Sequence, residues 1–245
     1  MREYYRWAYR AWPSRRPATV YMFHSIGNRD VGCHHHTPEV FEAFLKWLVR
    51  RARVVPLADL SERVRHGRSR SAVAALTFDD GFLDNFTVAY PLLRKYDCPA
   101  TFFIPTGCMD RPDMMAPDML RELSANGMSI GSHSVSHPRL SRLASDQIEY
   151  ELSASKKWLS DITGVECTEF CYPYGDFNEN VKDFVRKTGY NCAVAVSQRT
   201  QLRDPFEIPR VVIPRIVSPW RFATTLFAPG AWSLVRPLDP HAYRD

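Results

Sequence analysis

Apolar positions along the chain alternate between two rhythms: short runs rich in β-branched and aromatic residues, and longer stretches whose apolar residues recur at three- and four-residue spacing. The short runs predict strands at 19–23, 54–55, 72–78, 100–104, 128–131, 169–172 and 192–196. The longer stretches predict helices at 38–51, 57–64, 84–96, 115–126, 145–163 and 178–188. In the first of these, Phe41, Phe44, Leu45 and Leu48 fall on one face. Gly127, Gly164 and Gly189 stand where three of the helices should stop. Strands and helices that alternate in this way form a parallel sheet covered by helices, an α/β fold. Closure into a barrel accommodates all seven strands in one domain. The chain shows no internal repeat, low-complexity segment or linker composition.

Composition narrows the class. With 245 residues, 45% hydrophobic and 24% charged, the chain reads as globular rather than disordered. No uninterrupted apolar run reaches the roughly 18 residues of a membrane-spanning helix. Residues 1–16 lack the apolar block of a secretory signal, so the expected location is cytoplasmic. Six cysteines at 33, 98, 108, 167, 171 and 192, without a CxxC pair, read as free or buried thiols in a reducing compartment.

The net charge of +5 is uneven: +4 over residues 1–16, −2 over 17–209 and +3 over 210–245. A slightly acidic body argues against nucleic acid as a partner. As a helix, residues 2–12 would align Tyr5, Ala8, Tyr9 and Trp12 beside Arg2, Arg6 and Arg10, a mixture suited to an anionic bilayer surface. Trp220, Phe222, Leu226, Phe227 and Trp232 repeat it near the other end. Peripheral association with the inner face of the cell membrane and packing of both ends on the barrel are the two readings. The expected division is an extension at 1–18, a barrel at 19–215 and a tail at 216–245.

The reactive residues follow strands. His24 follows the first, Asp79 and Asp80 the third, His133 and His137 the fifth, and Pro173–Tyr174 the sixth. In a β/α barrel all of these lie on the face at the carboxyl ends of the strands, where active sites are built. Adjacent aspartates repel unless a cation or hydrogen bonds hold them. Two imidazoles and one carboxylate make the three-ligand set of a catalytic metal with a position open for water. A helix N-cap near residue 84 would need only one of the aspartates.

Thr77-Phe78-Asp79-Asp80-Gly81, Ser132-His133-Ser134-Val135-Ser136-His137-Pro138 and Tyr172-Pro173-Tyr174-Gly175 resemble, in order and spacing, the first three motifs of the polysaccharide deacetylases, the NodB-homology domains of carbohydrate esterase family four. The resemblance runs from about Val20 to Val196 and extends to about Arg215. It implies a distorted (β/α)7 barrel and metal-dependent removal of acetyl groups from N-acetylated sugars or glycans. It also implies roles: Asp79 as general base, Asp80, His133 and His137 as metal ligands, and the Tyr174 backbone N–H as an oxyanion donor. The divalent ion expected for two His and one Asp is Zn2+. Tyr21-Met22-Phe23-His24-Ser25-Ile26 is similar to the N-terminal motif of the exopolysaccharide-deacetylase branch, which makes His24 the candidate acid for the leaving amine.

Two departures stand out. Cys171 occupies the place where the common third motif has Arg, and Arg210 is the candidate cation to orient Asp79 instead, against the alternative of an ordinary surface Arg. No late Leu-x-His motif is present; His241 sits in a Pro-rich tail. Cys33-His34-His35-His36 reads as a mobile loop over the substrate cleft rather than a zinc site, and Met114, Met115, Trp47 and Trp158 read as packing. The absence of an export signal points to an intracellular lipid- or nucleotide-linked glycan precursor as substrate. The competing readings are an amidohydrolase of a small cyclic amide and a catalytically inactive carbohydrate-binding module.

Overall fold

The computed structural model describes residues 18–27, 35–66, 72–196 and 204–213, all within one compact unit. In chain order the regular elements are β1 (Thr19–Phe23), α1 (Pro38–Leu48), β2 (Arg53–Val54), α2 (Leu57–Arg65), β3 (Val73–Phe78), a π-helical turn (Asn85–Ala89), α3 (Tyr90–Lys95) and β4 (Thr101–Ile104). There follow α4 (Pro117–Ala125), β5 (Ser129–Ser132), α5 (Ser145–Thr163), β6 (Glu169–Cys171), α6 (Glu179–Lys187), β7 (Cys192–Ala195) and β8 (Ile208–Val212). Short 3-10 turns punctuate the connections.

All strand pairings among the described residues are parallel, and the order β1-β8-β7-β6-β5-β4-β3 closes on itself through a β1–β3 pairing. This is a closed seven-stranded barrel with helices around it. The membership of the ring differs from the sequence reading in one strand. Arg53–Val54 pairs only with the first two residues of β3 and stands outside the ring. The seventh place belongs to β8, which bridges β7 and β1. Pro209 and Arg210 hide that strand from a hydrophobicity pattern, because Pro cannot donate to a ladder and Arg is seldom buried. The segment expected to be one helix over 84–96 begins instead as a π-helical turn, with the Tyr90 N–H donating to the Asn85 carbonyl. Pro91 has no N–H to give to the preceding turn, so the ordinary helical ladder cannot run through it.

Alternation along the strands sets up the site. The register Phe23↔Phe78↔Phe102 lines three rings on the outer face, stacked at 5.4 and 4.9 Å, with Phe41 of α1 edge-on to the first two. Thr77 and Asp79, on either side of Phe78, therefore point inward. The Asp79 N–H donates to the Phe23 carbonyl and extends the ladder one residue past β3. Below the site the core contains Val20, Val73, Ala75, Phe103, Val194 and Ile208. Gly131 is required beside Phe103: a Cβ there would lie 2.5 Å from the ring.

The cysteine–histidine run is not a mobile cover in its described part. His35 and His36 are buried; His35 Nδ1 lies 3.3 Å from Ser25 Oγ, and the His36 ring packs on Phe23 at 5.4 Å. A backbone bridge between Ile26 and His36 ties the segment to the end of β1. Met114 and Met115 are buried. Cys98, Cys108, Cys167, Cys171 and Cys192 are free thiols. No helix among the described residues is long and apolar enough to cross a membrane. The aromatic and arginine-rich termini, His241, Cys33 and His34 lie outside the described residues.

Candidate active site

β3 ends in two aspartates with opposite surroundings. Asp79 continues the strand inward and is 2% exposed. Asp80 has φ of 70°, in the left-handed region that Asp tolerates better than most residues, and Gly81 follows at 71°. The chain thus turns sharply, and the Asp80 carboxylate emerges at the rim with 27% of its side chain exposed.

Asp79 meets Arg210, which reaches it from β8. Arg210 Nη1 and Nη2 donate to Asp79 Oδ1 and Oδ2, each at 2.7 Å, a bidentate pair. Arg210 is 4% exposed, so it is not a surface arginine. Its Nη1 also donates to Thr77 Oγ1 at 3.2 Å, and its Nη2 contacts Cys171 Sγ at 3.1 Å. Thr77 in turn donates to the Tyr21 carbonyl at 2.9 Å. Burial works against the Asp79 charge, yet the Arg210 guanidinium outweighs it and holds the carboxyl well below the usual carboxylate range. Burial pushes the Cys171 thiol well up.

Asp80 faces imidazoles. His133 Nε2 and His137 Nε2 lie 3.7 and 3.6 Å from Asp80 Oδ1, and His24 Nε2 lies 3.9 Å from Oδ2. The two Nε2 atoms of His133 and His137 are 3.1 Å apart. His133 Nδ1–H donates to the Cys171 carbonyl at 2.8 Å, which leaves the Nε2 lone pair turned toward Asp80. Burial lowers the pKa of His133, and burial together with His133 takes His137 down to about 4, so both rings are neutral near pH 7. Two imidazole nitrogens 3.1 Å apart, both within 3.7 Å of a carboxylate oxygen, fit a cation between them. Asp80, His133 and His137 each offer one donor atom, all within 4.8 Å of one another. A second cluster, Asp79, His133 and Cys171, satisfies the same distance. There the Arg210 guanidinium already fills the space as the cation.

The remaining candidates gather at the same face. Tyr174, at φ of 59°, is 41% exposed; its ring packs edge-on to His137 at 4.6 Å and carries the Arg139 guanidinium 4.5 Å from its centroid. The His24 carbonyl accepts from Asn85 Nδ2 at 2.6 Å. Asp84 holds the same loop, accepting from Ser25 Oγ at 2.5 Å and Ile26 N–H at 3.2 Å. Every sequence-selected residue among His24, Asp79, Asp80, His133, His137, Tyr174 and Arg210 is thereby placed at one end of the barrel.

Other contributors were not read from the sequence. Asp84 and Asn85 stand where the apolar pattern predicts the start of a helix. Glu151 of α5 supports the loop from 133 to 137, and Arg139 backs Tyr174. For Glu151 a signal existed: it shares a buried stripe with Ile148, Leu152, Ser155 and Leu159, where a carboxylate needs partners.

The sequence model of the polysaccharide deacetylase family matches residues 66–193. YxkH of Bacillus subtilis (strain 168), provisionally named a polysaccharide deacetylase, is 31% identical over 195 residues, covering 78% of this chain and 68% of its own. The poly-β-1,6-N-acetyl-D-glucosamine N-deacetylase of Staphylococcus aureus (strain MRSA252) is 26% identical over 211 residues, 79% of this chain and 72% of that protein. Among solved structures, Streptococcus pyogenes deacetylase PplD in complex with acetate superposes with a TM-score of 0.77 at 23% identity, over 85% of this chain and 97% of that one. IcaB from Ammonifex degensii gives 0.73 at 18% identity, over 87% and 97%. At those identities the two structures establish the shared fold. The family match and the Bacillus relative establish more: this chain belongs to the polysaccharide deacetylase family.

Proposed function

We propose that the protein is a metal-dependent N-deacetylase that hydrolyses the acetamide of an N-acetylated sugar within a glycan or a glycan precursor. The observation that carries this reading is the pairing of two sites side by side: a three-donor set of Asp80, His133 and His137, and a buried, ionised Asp79 clamped by Arg210. Asp80, His133 and His137 would hold a divalent ion, with Zn2+ the best match to two imidazoles and a carboxylate. Such an ion polarises an acetyl carbonyl and acidifies water at neutral pH.

The chain's own groups supply the rest. Asp79 is the general base: Arg210 keeps it ionised and fixes both oxygens, while each oxygen retains a lone pair to accept a proton. Its lowered pKa keeps Asp79 ionised at neutral pH, ready to accept a proton from the attacking water. His24 Nε2, across Asp80 from the other two imidazoles, is placed to give a proton to the departing sugar amine. Without that proton the tetrahedral adduct would expel the hydroxyl and revert. The backbone N–H of Tyr174 is assigned to the developing oxyanion, and its exposed ring flanks the place where the acetamide would sit. The N-deacetylase name of the Staphylococcus aureus relative supports an N-acetylated glycan as substrate.

The direct test measures acetate release by the full chain from N-acetylated oligosaccharides, sugar nucleotides and lipid-linked sugars, after chelation and after return of Zn2+ or other divalent ions. Metal-restored release from at least one of these is expected. Release that is unaffected by chelation would overturn the metal assignment, and no release from any N-acetylated sugar would overturn the activity.

A further inference from the structure

Glu151 has no role in the chemistry above, yet its carboxylate is 7% exposed and fully engaged. Oε2 accepts from the backbone N–H groups of Val135 and Ser136 at 2.7 and 2.9 Å, and Oε1 accepts from Ser136 Oγ at 2.5 Å. All three donors lie on the loop between His133 and His137. Two successive N–H groups turned to one side form a small anion-binding concavity, which the carboxylate fills from α5.

That loop has an uncommon shape. Ser134 and His137 both have positive φ, 67° and 58°, in a region that non-glycine residues seldom adopt. These two turns bring His137 back over His133 until their Nε2 atoms stand 3.1 Å apart. Lesser supports surround it: Ser134 N–H donates to Ser132 Oγ at 3.2 Å, and His137 N–H donates to Ser134 Oγ at 3.0 Å. From the other side, Gly107 N–H donates to the Val135 carbonyl at 2.8 Å. Among the described residues, Glu151 alone brings a full charge and three hydrogen bonds to this loop from a regular element. His133 is anchored independently by the Cys171 carbonyl. His137 is partly exposed and depends on the loop's path for its position.

We propose that Glu151 is a positioning residue that pre-forms the ligand loop, so that affinity for a divalent ion depends on it while the chemical step does not. This inference rests on the reading of Asp80, His133 and His137 as metal ligands. Glu151 is not itself a ligand, since its oxygens are taken up by the loop.

The test compares full-length wild type, Glu151→Gln and Ser136→Ala. Zn2+ affinity is measured by chelator competition, kcat at saturating Zn2+ by acetate release, and folding by circular dichroism. Glu151→Gln can keep its carbonyl on the two loop N–H groups and turn its NH2 to Ser136 Oγ, so it removes the charge alone; with three charge-assisted hydrogen bonds reduced to neutral ones, Zn2+ binding should weaken about 10-fold. Ser136→Ala removes one bond and should weaken it a few-fold; kcat at saturating ion should stay within a few-fold for both. A folded Glu151→Gln protein with wild-type affinity, or one whose kcat falls as far as its affinity, overturns the proposal. If Glu151→Gln does not fold, unchanged affinity in Ser136→Ala overturns it. Wild-type protein that binds no divalent ion would overturn the metal-site reading and this inference together.

Discussion

Asp79 and Asp80 are joined by one peptide bond, yet each belongs to a different electrostatic region. Asp79 lies inside the barrel with a guanidinium on both oxygens, and its charge is retained against the cost of burial. Asp80 stands at the rim, with imidazole nitrogens at 3.6 to 3.9 Å rather than at hydrogen-bonding distance. The first region is electrostatically complete in the protein itself; the second has donor atoms that converge on a space. Glu169 supplies a control at the start of β6. It is buried like Asp79, its Oε2 has no hydrogen-bond partner among the described residues, and burial pushes it up to about 7. Burial raises the one carboxyl, while beside the other Arg210, with smaller help from His133 and His24, more than reverses the same effect.

The largest expected effect breaks the inner region's chemistry. Asp79→Asn should lower acetate release about 10²–10⁴-fold, equivalent to roughly 3–5 kcal/mol in the barrier, while bound metal measured by atomic absorption stays at the wild-type level. Retained activity would remove Asp79 from the mechanism.

Arg210→Met addresses stability. Removing one partner of a buried ion pair should cost about 3–5 kcal/mol in urea unfolding, because Asp79 is left as an uncompensated charge. The sign with pH follows from the depressed pKa of Asp79. In wild type its contribution is complete above the unfolded value near 3.9 and fades as pH falls through the lower folded value. In Arg210→Met that contribution should disappear, so the variant's deficit should narrow in acid. A deficit that is constant with pH would mean the loss is packing alone.

Glu169→Gln tests the control. A carboxyl raised from 4.5 to about 7 favours the fold below pH 4.5, and that contribution drains away as pH rises toward 7. Across this window wild type should lose roughly 3 kcal/mol that the variant keeps. Parallel stability curves for the two proteins would contradict the assignment.

The smallest effect belongs to the rim. Asp80→Asn, which preserves tolerance for positive φ, should change the unfolding free energy of metal-free protein by less than about 1 kcal/mol. The rise in Tm that Zn2+ gives the wild type should vanish in the variant, since stabilisation by a ligand requires its site. A large loss in the metal-free protein would show that Asp80 holds the fold as well.

How far each region could be read beforehand differs for the same reason. The rim is carried by local motifs: His133 and His137 share one loop, and Asp80 follows a strongly patterned strand. The pairing within the inner region is not local. Arg210 lies 131 residues from Asp79, in a strand whose Pro209 and Arg210 resemble a surface turn. Glu151 shows in the sequence only as a carboxylate on the buried stripe of α5; its partners, two loop amides and the Ser136 hydroxyl, appear once the loop is folded against the helix. The buried position of His35 and His36 depends on contacts with Phe23 and Ser25, residues of a separate element.

The alternation of strands and helices, the barrel class and the placement of reactive residues after strands are all legible in the amino-acid order. Those follow from periodicity and from the rule that parallel strands present their carboxyl ends on one face. Three-dimensional packing settles that β8 closes the ring in place of β2, that Arg210 is buried against Asp79 rather than on the surface, and that Asp80 turns outward toward three imidazoles. Ring closure and ion pairing join positions far apart in the chain. Their energies depend on burial and on the distance between groups, and neither quantity exists until the barrel has formed.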